Sequence, residues 1–319
     1  TANAGSVTKI NATTGVVAGT YALPAGSNPR GIAFDGTAMW TANNGTSAVS
    51  KINITTGAVN VFFPLAAGSF PTGIAFDGTA MWTANSGTST VSKINITTGA
   101  VNLFVSLPAG SDPRGIAFDG TAMWTANVGT STVAKIDITT GAVIGTYALP
   151  AGSGPYGIAF DGTAMWTANA GTSAVSKINI ATGAVIGTYP LPVNSLPYGI
   201  AFDGTAMWTA NSGTSAVSKI NIATGAVIGT YALPAGSGPY GIALDQPGYS
   251  TNANRDIDPA TYMWTANYNN RTVSKISTAT GAVVATYPAG SGPWGVVFDG
   301  TSIWVTNYSS FTVTKIQAR

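Results

Sequence analysis

Seven near-copies of one motif occupy this chain and dictate what it can fold into. The segment GIAFDGTAMWTAN, or a close variant, places Trp40, Trp82, Trp124, Trp166 and Trp208 at a constant spacing of 42 residues, and Trp264 and Trp304 continue the series at 56 and 40. Residues 157–198 and 199–240 agree at 37 of 42 positions. A chain that repeats itself on this scale folds unit by unit, each unit burying its faces against the next. A period near 42 residues suits four short strands with their turns, the size of one propeller blade.

Turn chemistry divides each unit into four strands. In the first complete unit, Gly31-Ile32-Ala33-Phe34 reads as strand A, and Asp35-Gly36 as a hairpin turn that tolerates positive φ. Ala38 to Ala42 is strand B, Asn44-Gly45 the next turn, Ala48 to Ile52 strand C, and Ala58 to Phe63 strand D after Thr56-Gly57. Strands carry β-branched and aromatic residues, while the breaks carry Gly, Asn, Asp and Pro. No amphipathic helical stretch interrupts the pattern, so the expected class is all-β.

Strand counting sets the blade number. Strands A and D each occur seven times; strand C occurs eight times, marked by Lys9, Lys51, Lys93, Lys135, Lys177, Lys219, Lys275 and Lys315. A β-propeller of seven four-stranded antiparallel blades is expected, one domain over 1–319. It closes by strand exchange when the N-terminal D strand near 16–23 completes the last A-B-C set, which removes an exposed edge. That leaves one C strand, at 1–10 or 311–317, surplus. Eight blades with incomplete ends is the alternative.

Composition narrows the chemistry. Of 319 residues only 24 are charged, 13 Lys plus Arg against 11 acids; there is no His and no Cys, and all the acids are Asp. Histidine or cysteine triads, thiolate metal sites and disulfides are thereby excluded. A net charge of +2 offers no strong field for nucleic acid. No run approaches the roughly 18 apolar residues that span a bilayer, and no signal segment opens the chain, so the natural protein is expected to be longer or processed.

The sequence MWTAN-x-GTS-x-VSKI-x-TTGAV resembles the YVTN family of β-propeller repeats, and is similar to the broader NHL-like propellers whose P-x-G-I-A strand runs into a Y/W-V-x-N strand. The resemblance covers the chain apart from the insertion at 246–261. It implies a secreted or surface-layer protein, extracellular or at the cell surface, in a family many of whose members have no known activity.

Most recurring residues read as structural. Six of the seven strand-end aspartates open a D-G turn (Asp245 is the exception), where a carboxylate bonds nearby backbone. The lysines of strand C read as solvated or lying between blades. The asparagines of each TAN, Asn43 and Asn85 among them, read as ties for the B–C turn, and the strand-B tryptophans as blade-to-blade packing.

Positions at which near-identical repeats differ are the informative ones. The residue before the glycine of strand A faces the channel mouth, and round the ring these are Arg30, Thr72, Arg114, Tyr156, Tyr198, Tyr240 and Trp294. Arginine forks onto carboxylate, sulfate or phosphate, and aromatic faces stack on sugars or cations. The candidate ligand-binding set is therefore Arg30, Arg114, Tyr156, Tyr198, Tyr240 and Trp294, with Asn44, Tyr268 and Tyr308 able to extend it. The competing reading is that these side chains plug the funnel or record drift among repeats. Asp112, two residues before Arg114, is read as its salt-bridge partner.

The insertion QPGYSTNANRDIDPAT falls in one A–B loop, on the opposite face. Its alternating Asn252, Asn254, Asp256 and Asp258 raise a Ca²⁺ site, the one cofactor weighed; without a bidentate Glu and with Arg255 intervening, a solvated loop is preferred. Sequons at Asn11, Asn44, Asn53, Asn95, Asn270 and Asn307 are largely the repeat's own turn sequence.

The expected function is a non-catalytic secreted or cell-surface propeller that binds a glycan or an extracellular protein at its channel-mouth face, with no catalytic residues and no metal. A purely structural module of a larger extracellular protein is the alternative. A lyase or lactonase ranks last, because propeller enzymes of that kind look dependent on His and Glu around a metal.

Overall fold

The computed structural model describes residues 17–245 and 261–317. Twenty-eight strands, β1 to β28 in chain order, form seven four-stranded antiparallel sheets arranged as a propeller. The first continuous blade consists of β2 (Pro29–Phe34), β3 (Ala38–Asn43), β4 (Ala48–Asn53) and β5 (Val59–Pro64), and the following sheets repeat it. In the last, β26 (Pro293–Phe298), β27 (Ser302–Asn307) and β28 (Thr312–Gln317) are completed by β1 (Val17–Ala22), antiparallel to β28. The ring is thus seven blades closed by pairing of N- and C-terminal strands, and 311–317 belongs to the closed blade. The other strand-C sequence, at 1–10, and the proposed Ca²⁺ ligands of the insertion lie outside the described residues. The insertion's two ends meet as an ordinary A–B turn would, Asp245 N donating to Tyr262 O at 3.0 Å and Tyr262 N to Asp245 Oδ1 at 2.8 Å.

Strand B is buried along its length in six blades and at every residue but Tyr262 in the seventh, and its tryptophan is fully buried in all seven. Removing an aromatic this large from water stabilises the ring by about 2–3 kcal/mol per blade. Burial of the indole leaves its N–H needing an acceptor, and the strand-end aspartate supplies one. Asp119 Oδ2 accepts from Trp124 Nε1 at 2.7 Å, while Oδ1 accepts from Thr121 N, Thr121 Oγ1 and Ala122 N at 2.6–2.8 Å. The same Asp–Trp bond recurs in the other six blades, including Asp245, where the D-G turn is missing.

Strand-C lysines fasten one blade to the next. Lys51 lies over Trp40, 5.1 Å from the ring centroid, and its Nζ donates to Ile96 O of the neighbouring blade at 2.8 Å. Lys315 reaches Ile54 O at 2.8 Å in the same way, joining the last blade to the first. These side chains lie between blades rather than in solvent.

The inner strands meet backbone to backbone round the channel. A Cβ on Gly115 would sit 2.6 Å from the backbone oxygen of Tyr156, and one on Gly73 2.4 Å from that of Arg114, so no larger residue fits there. The ladder slips between the proline and this glycine, as at Pro113/Gly115 and Pro155/Gly157. That slip leaves the residue between them outside the regular pairing, at the channel mouth.

Candidate functional site

Seven inner strands thus present seven side chains at one opening, and there the repeats part company. A cavity of about 120 Å³ at this opening is lined by Thr72, Arg114, Tyr156, Tyr198, Tyr240 and Trp294 together with inner-strand glycines. This is slightly less than the roughly 150 Å³ that admits a benzene molecule. Five of the six candidate residues therefore share one cavity. Arg30 stands beside it, its guanidinium carbon 4.8 Å from the Trp294 ring centroid and 5.3 Å from that of Tyr308.

The aromatic residues form a continuous arc. Tyr156 meets Tyr198 edge-on at 4.6 Å, Tyr198 stacks on Tyr240 at 4.5 Å, and Tyr240 lies 4.4 Å from Trp294. Tyr268 and Tyr308 extend the arc, at 5.7 and 5.6 Å from Trp294. Asn44 does not extend it, because its amide is directed to Pro71 O at 3.4 Å. Thr72 is buried, with its hydroxyl bonded to Ser86 Oγ at 3.3 Å.

Arginine bounds the arc at both ends, in two different states. Arg114 is gripped by Asp112, Nε to Oδ1 at 2.8 Å and Nη2 to Oδ2 at 2.9 Å, and its remaining Nη1 donates to the Tyr156 hydroxyl at 3.4 Å. Arg30 makes no such pair, and its Nε is buried without a hydrogen-bond acceptor among the described residues.

Burial pushes two phenols upward, and their neighbours act on that rise in opposite senses. Burial raises Tyr156, while the charges of Arg114 and Arg30 pull against that rise. Burial, reinforced by the neighbouring Tyr198, Tyr156 and Tyr268, takes Tyr240 up to about 12. Tyr156 is therefore the phenol with cationic support, and Tyr240 the one that holds its proton most firmly.

Other sequence expectations resolve simply. Each TAN asparagine ties strand B to strand C: Asn43 Nδ2 donates to Ser50 Oγ at 2.7 Å while Thr41 donates to Asn43 Oδ1 at 2.9 Å. The Asp–Trp bond and the lysine bridge were not anticipated, although an acid five residues before six of the seven strand-B tryptophans was a legible signal. Among the described residues no cluster of three or more acids could hold a metal, and no helix is long and apolar enough to cross a membrane.

No family model and no curated protein matches this chain. Solved structures do. A streptogramin B lyase superposes with a TM-score of 0.78 at 20% identity, over 93% of this chain and 96% of that one. Virginiamycin B lyase from Staphylococcus aureus gives 0.77 at 20%, over 94% and 98%. The Kuenenia stuttgartiensis hydrazine synthase gives 0.78 at 20%, over 92% and 96%. Likenesses at this identity establish the fold.

They also correct four expectations. The YVTN and NHL-like resemblance is not upheld: no such family model matches, and the similar propellers are lyases and a synthase. The repeated motif that suggested it consists of residues every blade needs for turns and packing, so it reports architecture. The extracellular or cell-surface location inferred from it loses its ground. The expected non-catalytic binding or structural role, and the expectation that the chain is no enzyme, are corrected as well, because solved structures sharing this fold are lyases and the fold gives no ground for excluding catalysis. A lyase was ranked last because propeller enzymes of that kind look dependent on His and Glu; here half-buried Tyr and Arg converge at the channel mouth.

Proposed function

We propose that this propeller is a lyase-type enzyme that breaks a carbon–oxygen bond by elimination at its channel mouth. The observation that carries the reading is the Tyr156 hydroxyl at the cavity, with the Arg114 guanidinium against it at 3.4 Å. Support comes from the two similar lyases on the same fold. One related structure is a virginiamycin B lyase rendered catalytically inactive by replacing a histidine with alanine, holding quinupristin. This chain has no histidine, so its proton transfers fall to other groups.

Environments that push like groups apart assign acid and base. Arg114, fixed by Asp112, stabilises the Tyr156 phenolate, which takes the proton from the carbon beside a substrate carbonyl or carboxyl group. The electron pair of that C–H bond becomes the new C=C bond, and the C–O bond at the next carbon breaks. Tyr240, which stays protonated, gives its proton to the departing oxygen. A glycan suits the rest of the mouth, because the Tyr198–Tyr240–Trp294 arc offers ring faces on which sugars stack.

The test is a screen of acidic polysaccharides, with quinupristin as counter-screen, following ultraviolet absorbance of the new double bond. The Tyr156→Phe variant is expected to fold normally and lose turnover by at least about 100-fold, the usual worth of a general base. Because the base must lose a proton held above the ordinary tyrosine value of about 10, kcat/KM is expected to go on rising with pH through and beyond about 10. Retained turnover in Tyr156→Phe would remove this residue from the reaction.

A further inference from the structure

The two arginines at the mouth are internal controls for each other. Both follow a proline in the same strand position, and two residues before each the backbone is left-handed, φ 44° at Asn28 and 47° at Asp112. In one repeat that upstream residue is an aspartate, and its carboxylate occupies the fork of Arg114. In the other it is an asparagine, whose Nδ2 donates to Tyr308 O at 3.3 Å. Arg30 is therefore left without a carboxylate within ion-pair distance among the described residues, stacked against Trp294 and Tyr308 with Nε buried and unpaired.

A half-buried guanidinium with an unmet donor is costly unless an oxyanion arrives. The rings on its faces leave the N–H edge as its binding direction, and a forked edge matches a two-oxygen group. We propose that Arg30 recognises an anionic group of the substrate, a carboxylate or a sulfate, beside the channel mouth. The inference deepens the lyase reading by naming a substrate class, and rests on the mouth being where the substrate enters. Arg114, already neutralised, acts on Tyr156; Arg30 supplies the uncompensated positive charge.

The experiment measures binding of D-galacturonate, D-galactose 6-sulfate and neutral D-galactose by ligand-detected NMR to the native chain and two variants. Arg30→Gln removes the charge. Asn28→Asp leaves Arg30 in place but supplies the carboxylate that its counterpart has, on a backbone already suited to it. Native protein is expected to bind at least one anionic sugar ten-fold or more tighter than galactose, the stronger anion identifying the group. Both variants are expected to erase that preference, with urea midpoints checked to confirm folding. Equal binding of charged and neutral sugars, no binding of either anion, or a preference that survives both substitutions overturns the proposal. Turnover is assayed separately: binding sensitive to Asn28→Asp without elimination would sink the lyase reading and leave the anion site standing.

Discussion

Asp119→Asn tests whether one buried carboxylate holds a blade together. Asp119 is 5% exposed and accepts four hydrogen bonds, one from Trp124 Nε1 and three from Thr121 and Ala122. No ammonium lies within ion-pair distance of it among the described residues, so hydrogen bonding is isolated from ion pairing. An amide has one acceptor oxygen. If that oxygen serves the turn, the NH₂ faces the indole N–H and two buried donors oppose each other. If it serves the indole, the NH₂ faces the Ala122 and Thr121 N–H groups. Each orphaned buried donor costs about 1–3 kcal/mol, so a loss of about 2–4 kcal/mol is expected. For an m-value near 3 kcal/mol per molar urea, the midpoint falls by about 1 M. Equilibrium urea unfolding followed by tryptophan fluorescence reads this directly. The control is Asp137→Asn, where Asn53, Asn95, Asn179 and Asn221 already fill the equivalent turn position with the same backbone bonds, and no midpoint change is expected. A shift for Asp119→Asn no larger than for Asp137→Asn would refute the role given to the Asp–Trp bond.

Two further outcomes follow from the geometry. Burial raises Asp35, Asp77, Asp119, Asp161 and Asp203, but bonds from Trp, Thr and backbone outweigh it and leave each below the usual value. Their contribution is complete above the unfolded value of about 3.9 and disappears as pH falls through the lower folded values; urea midpoints should therefore drop steeply below about pH 4, and a flat profile there would contradict the shifts. Leu196 is 42% exposed at φ 46°, whereas the equivalent positions hold Gly154 at 51° and Gly238 at 53°. Leu196→Gly should stabilise by about 1 kcal/mol, since a left-handed leucine costs roughly 1–2 kcal/mol; a destabilised variant would show that the leucine side chain makes up for its backbone.

The fold was legible because each blade solves the same problem with the same residues. Gly36 and Gly57 mark turns at positive φ, Gly115 and its equivalents mark the backbone contact between inner strands, and the tryptophan spacing counts the blades. The site was legible in part for the complementary reason. Arg30, Thr72 and Tyr156 occupy one structural position, so their difference marks a place that the architecture does not constrain. What stayed hidden was pairing. Sequence placed Asp112 beside Arg114, but not the Nη1 that then reaches Tyr156, and it gave no sign that Asn28 would turn to Tyr308 and leave Arg30 open.

The family resemblance misled by the same logic. Residues recurring in every blade carry the fold, and a likeness built on them reports the fold, whatever the protein does. Catalysis was ranked last on residue type, with no His and no Glu, before the surroundings of the remaining titratable groups were known. A phenol in water near its ordinary value of about 10 is a poor base at neutral pH. At Tyr156 burial raises the phenol further and the adjacent guanidinium offsets only part of that rise, so the phenolate forms there only at alkaline pH. Tyr156 has that neighbour and Tyr240 has other phenols, and the distinction arises from blade-to-blade substitutions on an otherwise constant backbone. The proposed acid, base and anchor for charge all stand at positions that the fold does not constrain, the first two lining the cavity and Arg30 beside it, and in a ring of repeats those are the positions where activity is to be sought.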